Sequence, residues 1–383
     1  MELTISIPHY AIELSVIKRV NTGLKVVSEN GNYIAANDGY DGYGDVVANV
    51  DDHSITNPLL MRTYSTYENS SYTYLPTGAF AYHKSLRSVS FPNCEIIYSS
   101  VFEGCTNLSS ISFPLCSDIG SYAFNGCTGL KNVSFPKCEF IGGGAFYGCG
   151  SLSSISFPMC SYVGSSAFTR CSSLTNVTIS SCKNIGSFAF RYCSNLTTIS
   201  FPNCEYIGSY AFESCSSLQS AMFSKCTSIE YDTFSRCIAL SIISFPICSY
   251  ISSYAFYTCR SLSSVTIPLC EFIGQYGFAY CTSLTSISLS MCKQIMGTAF
   301  AYCSSLSIAT FPMCSYIGNY VFASGTSSLS LTVGTNLSTI CTLGGSSVFY
   351  SITNLSIYVP ASLLSSYKTA SYWSAYSNYI FGI

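Results

Sequence analysis

Residues 108–129 read LSSISFPLCSDIGSYAFNGCTG, and that stretch decides the fold. Leu108 begins it, and Leu130 begins the next 22 residues in the same way. Leu recurs at 86, 108, 130, 152, 174, 196, 218, 240, 262, 284 and 306, and Phe at every twenty-second residue from Phe80 to Phe322. The consensus is L-x-x-I-x-F-P-x-C-x-x-I-G-x-x-A-F-x-x-C-x-x, and no insertion breaks it. A fixed period of this length marks a solenoid, in which each coil buries its apolar side only against its neighbours. Within the unit, Ile111 and Phe113 alternate with Ser110 and Ser112, the period-2 pattern of a short half-buried strand. Pro114 ends that strand, because proline cannot donate to a ladder. Ile119-Gly120 reads as a turn where glycine supplies positive φ, and Ala123-Phe124 as the core plug of the far side. With strands about 4.8 Å apart, eleven coils predict a parallel sheet about 50 Å long.

The line L-x-x-I-x-F-x-x-C-x-x-I matches the leucine-rich repeat signature. With its Pro after the strand and its later A-F-x-x-C, it resembles the BspA-type (Treponema-pallidum-type) leucine-rich repeat over residues 75–325. The resemblance implies a right-handed, curved solenoid used for surface attachment and protein binding, and it does not imply catalysis. The stretch from Ile357 to Trp373 resembles the end segment of such proteins. The expected organisation is a module over 1–57, a Tyr- and Ser-rich linker over 58–74, the solenoid over 75–325 and a C-terminal cap over 326–383. In the cap, Leu329–Val333 and Leu355–Val359 read as strands. Residues 361–380 read as a helix packing through Leu363, Leu364, Tyr367 and Trp373.

The module reads as short strands over 24–27, 32–35 and 44–50, with turn dipeptides at Asn30-Gly31 and Asp38-Gly39. Its segments Ser28–Tyr33 and Asp41–Val50 resemble small β modules of gut bacterial and phage surface proteins. It is acidic: residues 1–60 hold eight acids and three bases, and the remainder ten acids and thirteen bases.

Charged residues make up only 9% of the 383, and 16 Lys and Arg spread this thinly exclude a basic nucleic-acid surface. No run of about 18 apolar residues predicts a membrane span, so neither nucleic acid nor membrane insertion is expected. The opening MELTISIPHYAIELSVIKRV lacks the pattern of a secretory signal.

Of the 22 cysteines, eleven fall at 94, 116, 138 and onward to 314, ten at 105, 127 and onward to 303, and Cys341 stands apart. These two ladders read as small buried fillers with free thiols. Ladder neighbours come within disulfide range, but side chains pointing the same way disfavour the bond. No C-x-x-C pair gives zinc spacing. The three histidines, His9, His53 and His83, form no acid/base pair, and no hydrolase, zinc-protease or phosphate-loop motif occurs. The run Asn37–Asp45 reads as an acidic turn, with calcium as the alternative. No enzyme activity, metal or cofactor is expected.

The candidate binding residues lie on the outward strand positions and the flanks. Outward positions are almost all Ser or Thr, with Asn132 and Asn176 among them. The pattern breaks at Met222 and Ile242 on adjacent coils. Ile247 and Leu269 follow the prolines nearby, and Lys225 and Arg236 lie on the same coils. An apolar patch rimmed by charge marks a partner site, and repeat degeneracy is the alternative. Tyr206, Tyr210, Tyr250 and Tyr254 are expected on an outer flank, as contact residues or as an inter-coil stack. The expected partners are a surface protein or glycan receptor for the solenoid and an assembly partner for residues 1–57. The alternative is a spacer or decoration component of a phage virion or bacterial surface.

Overall fold

A computed structural model describes residues 65–383 in full. It also describes the backbone of three strands, Thr4–Ile7, Lys25–Ser28 and Tyr33–Ala35. The strand expected over 44–50, the Asn37–Asp45 run, His9 and His53 lie outside the described residues. Thr4–Ile7, which the sequence pattern did not mark, pairs in parallel with Lys25–Ser28, and the latter pairs antiparallel with Tyr33–Ala35.

From Thr66 onward the chain is a parallel-strand solenoid of about fourteen coils. Each coil has three sides. The first is a three-residue strand such as Ser110–Ser112, paired with its neighbours at a register of 22, as in Val89↔Ile111 and Ile155↔Val177. The second is a two-residue strand such as Asp118–Ile119, paired with Ile96–Ile97 behind and Phe140–Ile141 ahead. The third is a double turn without strands. There the amide of each ladder Phe donates to a carbonyl of the next coil, as in Phe102 to Ala123 and Phe124 to Ala145, both 2.7 Å.

The interior is built from the repeat positions. In one coil Leu108, Phe113, Cys116, Ile119, Ala123, Phe124 and Cys127 are all buried. The phenylalanines form two interlocked stacks. Phe102 lies on Phe124 at 5.1 Å and 12°, Phe91 on Phe113 at 5.5 Å and 17°, and Phe102 meets Phe113 edge-on at 5.9 Å. Each buried Phe contributes about 1.5–3 kcal/mol of transfer energy, and each ring pair about 0.5–1.5 kcal/mol more.

All 22 cysteines are buried. Each ladder has its own bond. Cys127 donates Sγ–H to the Phe102 carbonyl at 3.0 Å, and Cys116 to the Asp118 carbonyl at 3.4 Å. A thiol is small enough for the coil interior and still offers a weak donor to a turn carbonyl. His83 occupies the equivalent of Cys105 and is likewise buried.

Three expectations change. Ile119 belongs to the second strand rather than a turn, because its amide and carbonyl join a ladder that the short sequence pattern does not reveal. Gly120 follows that strand for a different reason from the one expected. It is not at positive φ, but a Cβ there would lie 2.5 Å from the backbone of Tyr98 in the preceding coil. The positive φ values fall instead at two third-side positions of each coil, such as Tyr122 (58°) and Gly126 (70°). Tyr, Ser, Arg and Gly all occupy them, and their amides are bonded to the next coil, Tyr122 to Gly143 and Gly126 to Tyr147. Thirdly, the solenoid starts before residue 75: Thr66–Glu68 pairs with Ser88–Ser90, and Tyr74–Leu75 with Ile96–Ile97.

At the far end, Ser328–Val333 and Asn354–Val359 extend the first side, and Ile380–Gly382 adds a last parallel strand. The expected single helix is broken into Ala361–Leu363, Leu364–Thr369 and Trp373–Tyr379. The break falls at Tyr372, whose φ of 63° ends any right-handed helix.

Candidate recognition surfaces

The residues singled out in sequence separate onto different sides of the coil. Met222 and Ile242 are on the first side, 53% and 47% exposed. Register pairs Met222 with Ser244 and Ile242 with Ser220, so the two are diagonal neighbours on one face. Asn132 and Asn176 share that side. Asn132 Oδ1 accepts from Ser154 Oγ at 2.6 Å, and Asn176 donates to Thr175 Oγ1 at 3.3 Å. Ile247 and Leu269 are exposed after their prolines, and Lys225 stands one period before Ile247. Lys225 Nζ donates to Asn203 Oδ1 at 3.0 Å.

Arg236 does not rim this patch. It sits on the third side, where its Nη1 meets Glu213 Oε1 at 3.3 Å. The tyrosines also divide. Tyr206 and Tyr250 open second-side strands, with Tyr250 stacked on Phe272 at 4.7 Å. Tyr210 and Tyr254 occupy left-handed third-side positions. The physical reason is angular: two residues four apart in sequence here straddle a corner of the coil.

On the third side the rings run from coil to coil. Phe188 stacks on Tyr210 at 4.7 Å, Tyr210 meets Tyr231 at 5.4 Å, Tyr231 meets Tyr254 at 5.6 Å, and Tyr254 stacks on Tyr276 at 4.7 Å. Beside them Tyr257 meets Tyr280, and Tyr280 stacks on Tyr302 at 4.3 Å. At the start of this strip Arg191 Nε donates to the buried Glu213 at 2.5 Å. Its guanidinium lies 4.6 Å from the Tyr192 ring, 5.4 Å from Phe188 and 5.6 Å from Tyr210. Burial raises the Asp232 carboxyl above its usual range, with hydrogen bonding to Ser235 opposing it. Sequence reading missed Phe188, Arg191, Tyr192 and Glu213. The signal was present, since Arg191 and Glu213 are one period apart, as are Phe188 and Tyr210.

Many hydroxyls are committed to the scaffold. Ser109, Ser153 and Ser241 donate to the carbonyls of Arg87, Lys131 and Gln219, each 22 residues earlier. Among the described residues, no group of three or more metal-ligating side chains could hold an ion, and no helix is long and apolar enough to cross a membrane.

The in-register stack of 22-residue coils, with a strand, a proline corner and an A-F-x-x-C turn, agrees with one family model. The BspA type leucine rich repeat region matches residues 63–159, 139–249 and 249–376, in six copies. The chain belongs to the BspA-type leucine-rich repeat family. This family's solenoids are scaffolds of protein-binding and surface proteins. The BspA-type chain is similar in fold to a leucine-rich repeat protein from Bacteroides ovatus, at 23% identity over 84% of each chain and a TM-score of 0.57. A leucine rich cell surface protein from Faecalibacterium prausnitzii aligns at 21% identity over 84% of this chain and 94% of its own, with a TM-score of 0.44. No curated protein matches the chain.

Proposed function

We propose that this BspA-type solenoid is a non-enzymatic recognition protein that attaches to a protein or glycan on a host or other cell surface. Residues 1–57 act as a tether to a larger assembly, a bacterial envelope or a phage tail. The observation that carries the reading is the third-side strip, in which half-exposed rings from Phe188 to Tyr276 follow one another across five coils. Rigid aromatic surface offers large contact area at low entropy cost, and the interior stacks already hold the coils together without it. The diagonal pair Met222 and Ile242 supplies a second apolar contact on the first side.

The spacer or decoration reading draws on the serine hydroxyls bonded to the preceding coil, which serve the scaffold rather than a ligand. Attachment of the full chain to intact cells or envelope separates the two readings. A recognition protein loses attachment in Tyr254→Ala/Tyr276→Ala or in Met222→Asp/Ile242→Asp while its melting temperature is kept. A spacer shows no attachment to lose. Cross-linking of the full chain within an envelope or virion preparation tests the tether: partners linked only through 58–383 would refute it.

A further inference from the structure

The third side has one place where the aromatic strip gives way to charge. Two position ladders run there side by side: Tyr147, Thr169, Arg191, Glu213, and Gly148, Arg170, Tyr192, Ser214. Gly148 has no neighbour within 4 Å of where a Cβ would stand, so the surface is open in front of Arg170. Two shallow, open surface depressions, of about 250 and 440 Å³, meet at this point, and Arg170 and Tyr192 line both. Phe188 and Arg191 are among the other residues of the first, and Ser172, Ser194 and Ser214 complete the second.

The charges here do not balance. Glu213 is shared by Arg191 and Arg236, and Asp232 lies beside Arg236. Arg170 is exposed and has no ion pair among the described residues. Its guanidinium stands 6.0 Å from the centre of the Tyr192 ring. A guanidinium left over next to ring faces and hydroxyls recognises an anion carried on a polyhydroxylated, flat-faced body: the carboxylate pairs with Arg in two parallel bonds, and C–H faces lie on the rings. The backbone disfavours a peptide strand. On this side the amides of Phe168, Arg170, Phe190 and Tyr192 all donate to the next coil, which leaves no edge to extend.

We propose that the paired surface depressions around Arg170 and Tyr192 are a binding subsite for an acidic saccharide, with its carboxylate on Arg170 and a sugar ring on Tyr192. The proposal rests on the recognition reading above and narrows its ligand to one class.

The test is calorimetric titration of the full chain with sialyllactose, a hyaluronan tetrasaccharide, lactose and a hexa-aspartate peptide. At least one acidic saccharide binds, lactose does not, and added NaCl weakens the binding. Arg170→Gln, at an exposed position outside the core, reduces affinity at least tenfold, as does Tyr192→Ala, while removal of a distant exposed charge in the C-terminal cap, Lys368→Gln, leaves it unchanged. The subsite is overturned if neither acidic saccharide binds, if lactose or hexa-aspartate binds equally well, or if Arg170→Gln binds as the wild type does. The same proteins assayed for cell attachment separate the failures. Attachment without saccharide binding removes the subsite and leaves the recognition reading, whereas no attachment by the wild type removes both.

Discussion

The indole Nε1 of Trp373 donates to the backbone carbonyl of Cys341 at 2.7 Å. The amide of the same residue donates to Tyr367 Oη at 2.8 Å, and the two rings meet edge-on at 5.2 Å. Both aromatic residues are fully buried. An end coil must satisfy backbone groups and cover core that inner coils leave to their neighbours, and this pair does both.

Replacing Trp373 with Ala is expected to cost about 3–5 kcal/mol, with the loss concentrated at the end. Hydrogen exchange should show amides around Cys314–Phe349 losing protection while those of the coil at Leu152–Cys171 keep theirs. Uniform loss along the whole solenoid would refute a local cap.

Glu213 is buried between two arginines, Arg191 with its side chain 29% exposed and Arg236 59%. Glu213→Gln leaves the partly buried Arg191 without its carboxylate. A loss of roughly 1–3 kcal/mol in urea unfolding is expected, below the 3–5 kcal/mol of a fully buried pair because solvent reaches both arginines. No loss would show that ring stacking alone holds Arg191.

Burial raises the thiols of Cys94, Cys105, Cys149 and Cys160 to about 12 and that of Cys248 to about 11, from the ordinary 9.0. A group with a raised folded value stabilises the fold fully below its unfolded pKa, and that contribution fades as pH rises toward the folded value. Stability should therefore fall steeply from about pH 9 to 12, by about 1.4 kcal/mol per pH unit for each thiol that ionises only on unfolding. Circular dichroism under reducing conditions would follow this. At pH 8 the native chain should leave nearly all its thiols unreacted with a disulfide reagent, and rapid titration of most of them would contradict the buried ladders.

Two glycines give a contrast. A Cβ on Gly142 would stand 2.5 Å from the Ser121 amide nitrogen, whereas one on Gly148 would touch nothing although its φ is +70°. Gly142→Ala should cost about 1–3 kcal/mol through the clash, and Gly148→Ala only about 1 kcal/mol through backbone conformation. The opposite order in thermal unfolding would refute close coil approach as the role of the post-strand glycine.

Much of the scaffold was legible. In a solenoid, residues one period apart are neighbours in space, so the ladders of Leu, Phe and Cys announced both the stacking and the core. The cap strands were readable from their alternation. The helix after them was misread as continuous, because Tyr372 carries no mark of its left-handed backbone. The recognition surface was less legible. Met222 and Ile242 were found because they break a pattern, but Arg191 and Glu213 were missed because each looks like an isolated surface charge until the period is applied to it.

The 22-residue repeat by itself determined that this chain stacks coils, which side chains fill them and which pairs lie face to face from coil to coil. The reason is that each coil can bury its apolar side only against the next copy of itself. What tertiary structure alone decided is the angular placement of each ladder: Arg236 away from Met222, and Tyr210 around the corner from Tyr206. That placement depends on two left-handed residues in every third-side turn. Inter-coil hydrogen bonds hold them there whatever side chain they carry, so no residue type in the sequence marks where the coil bends.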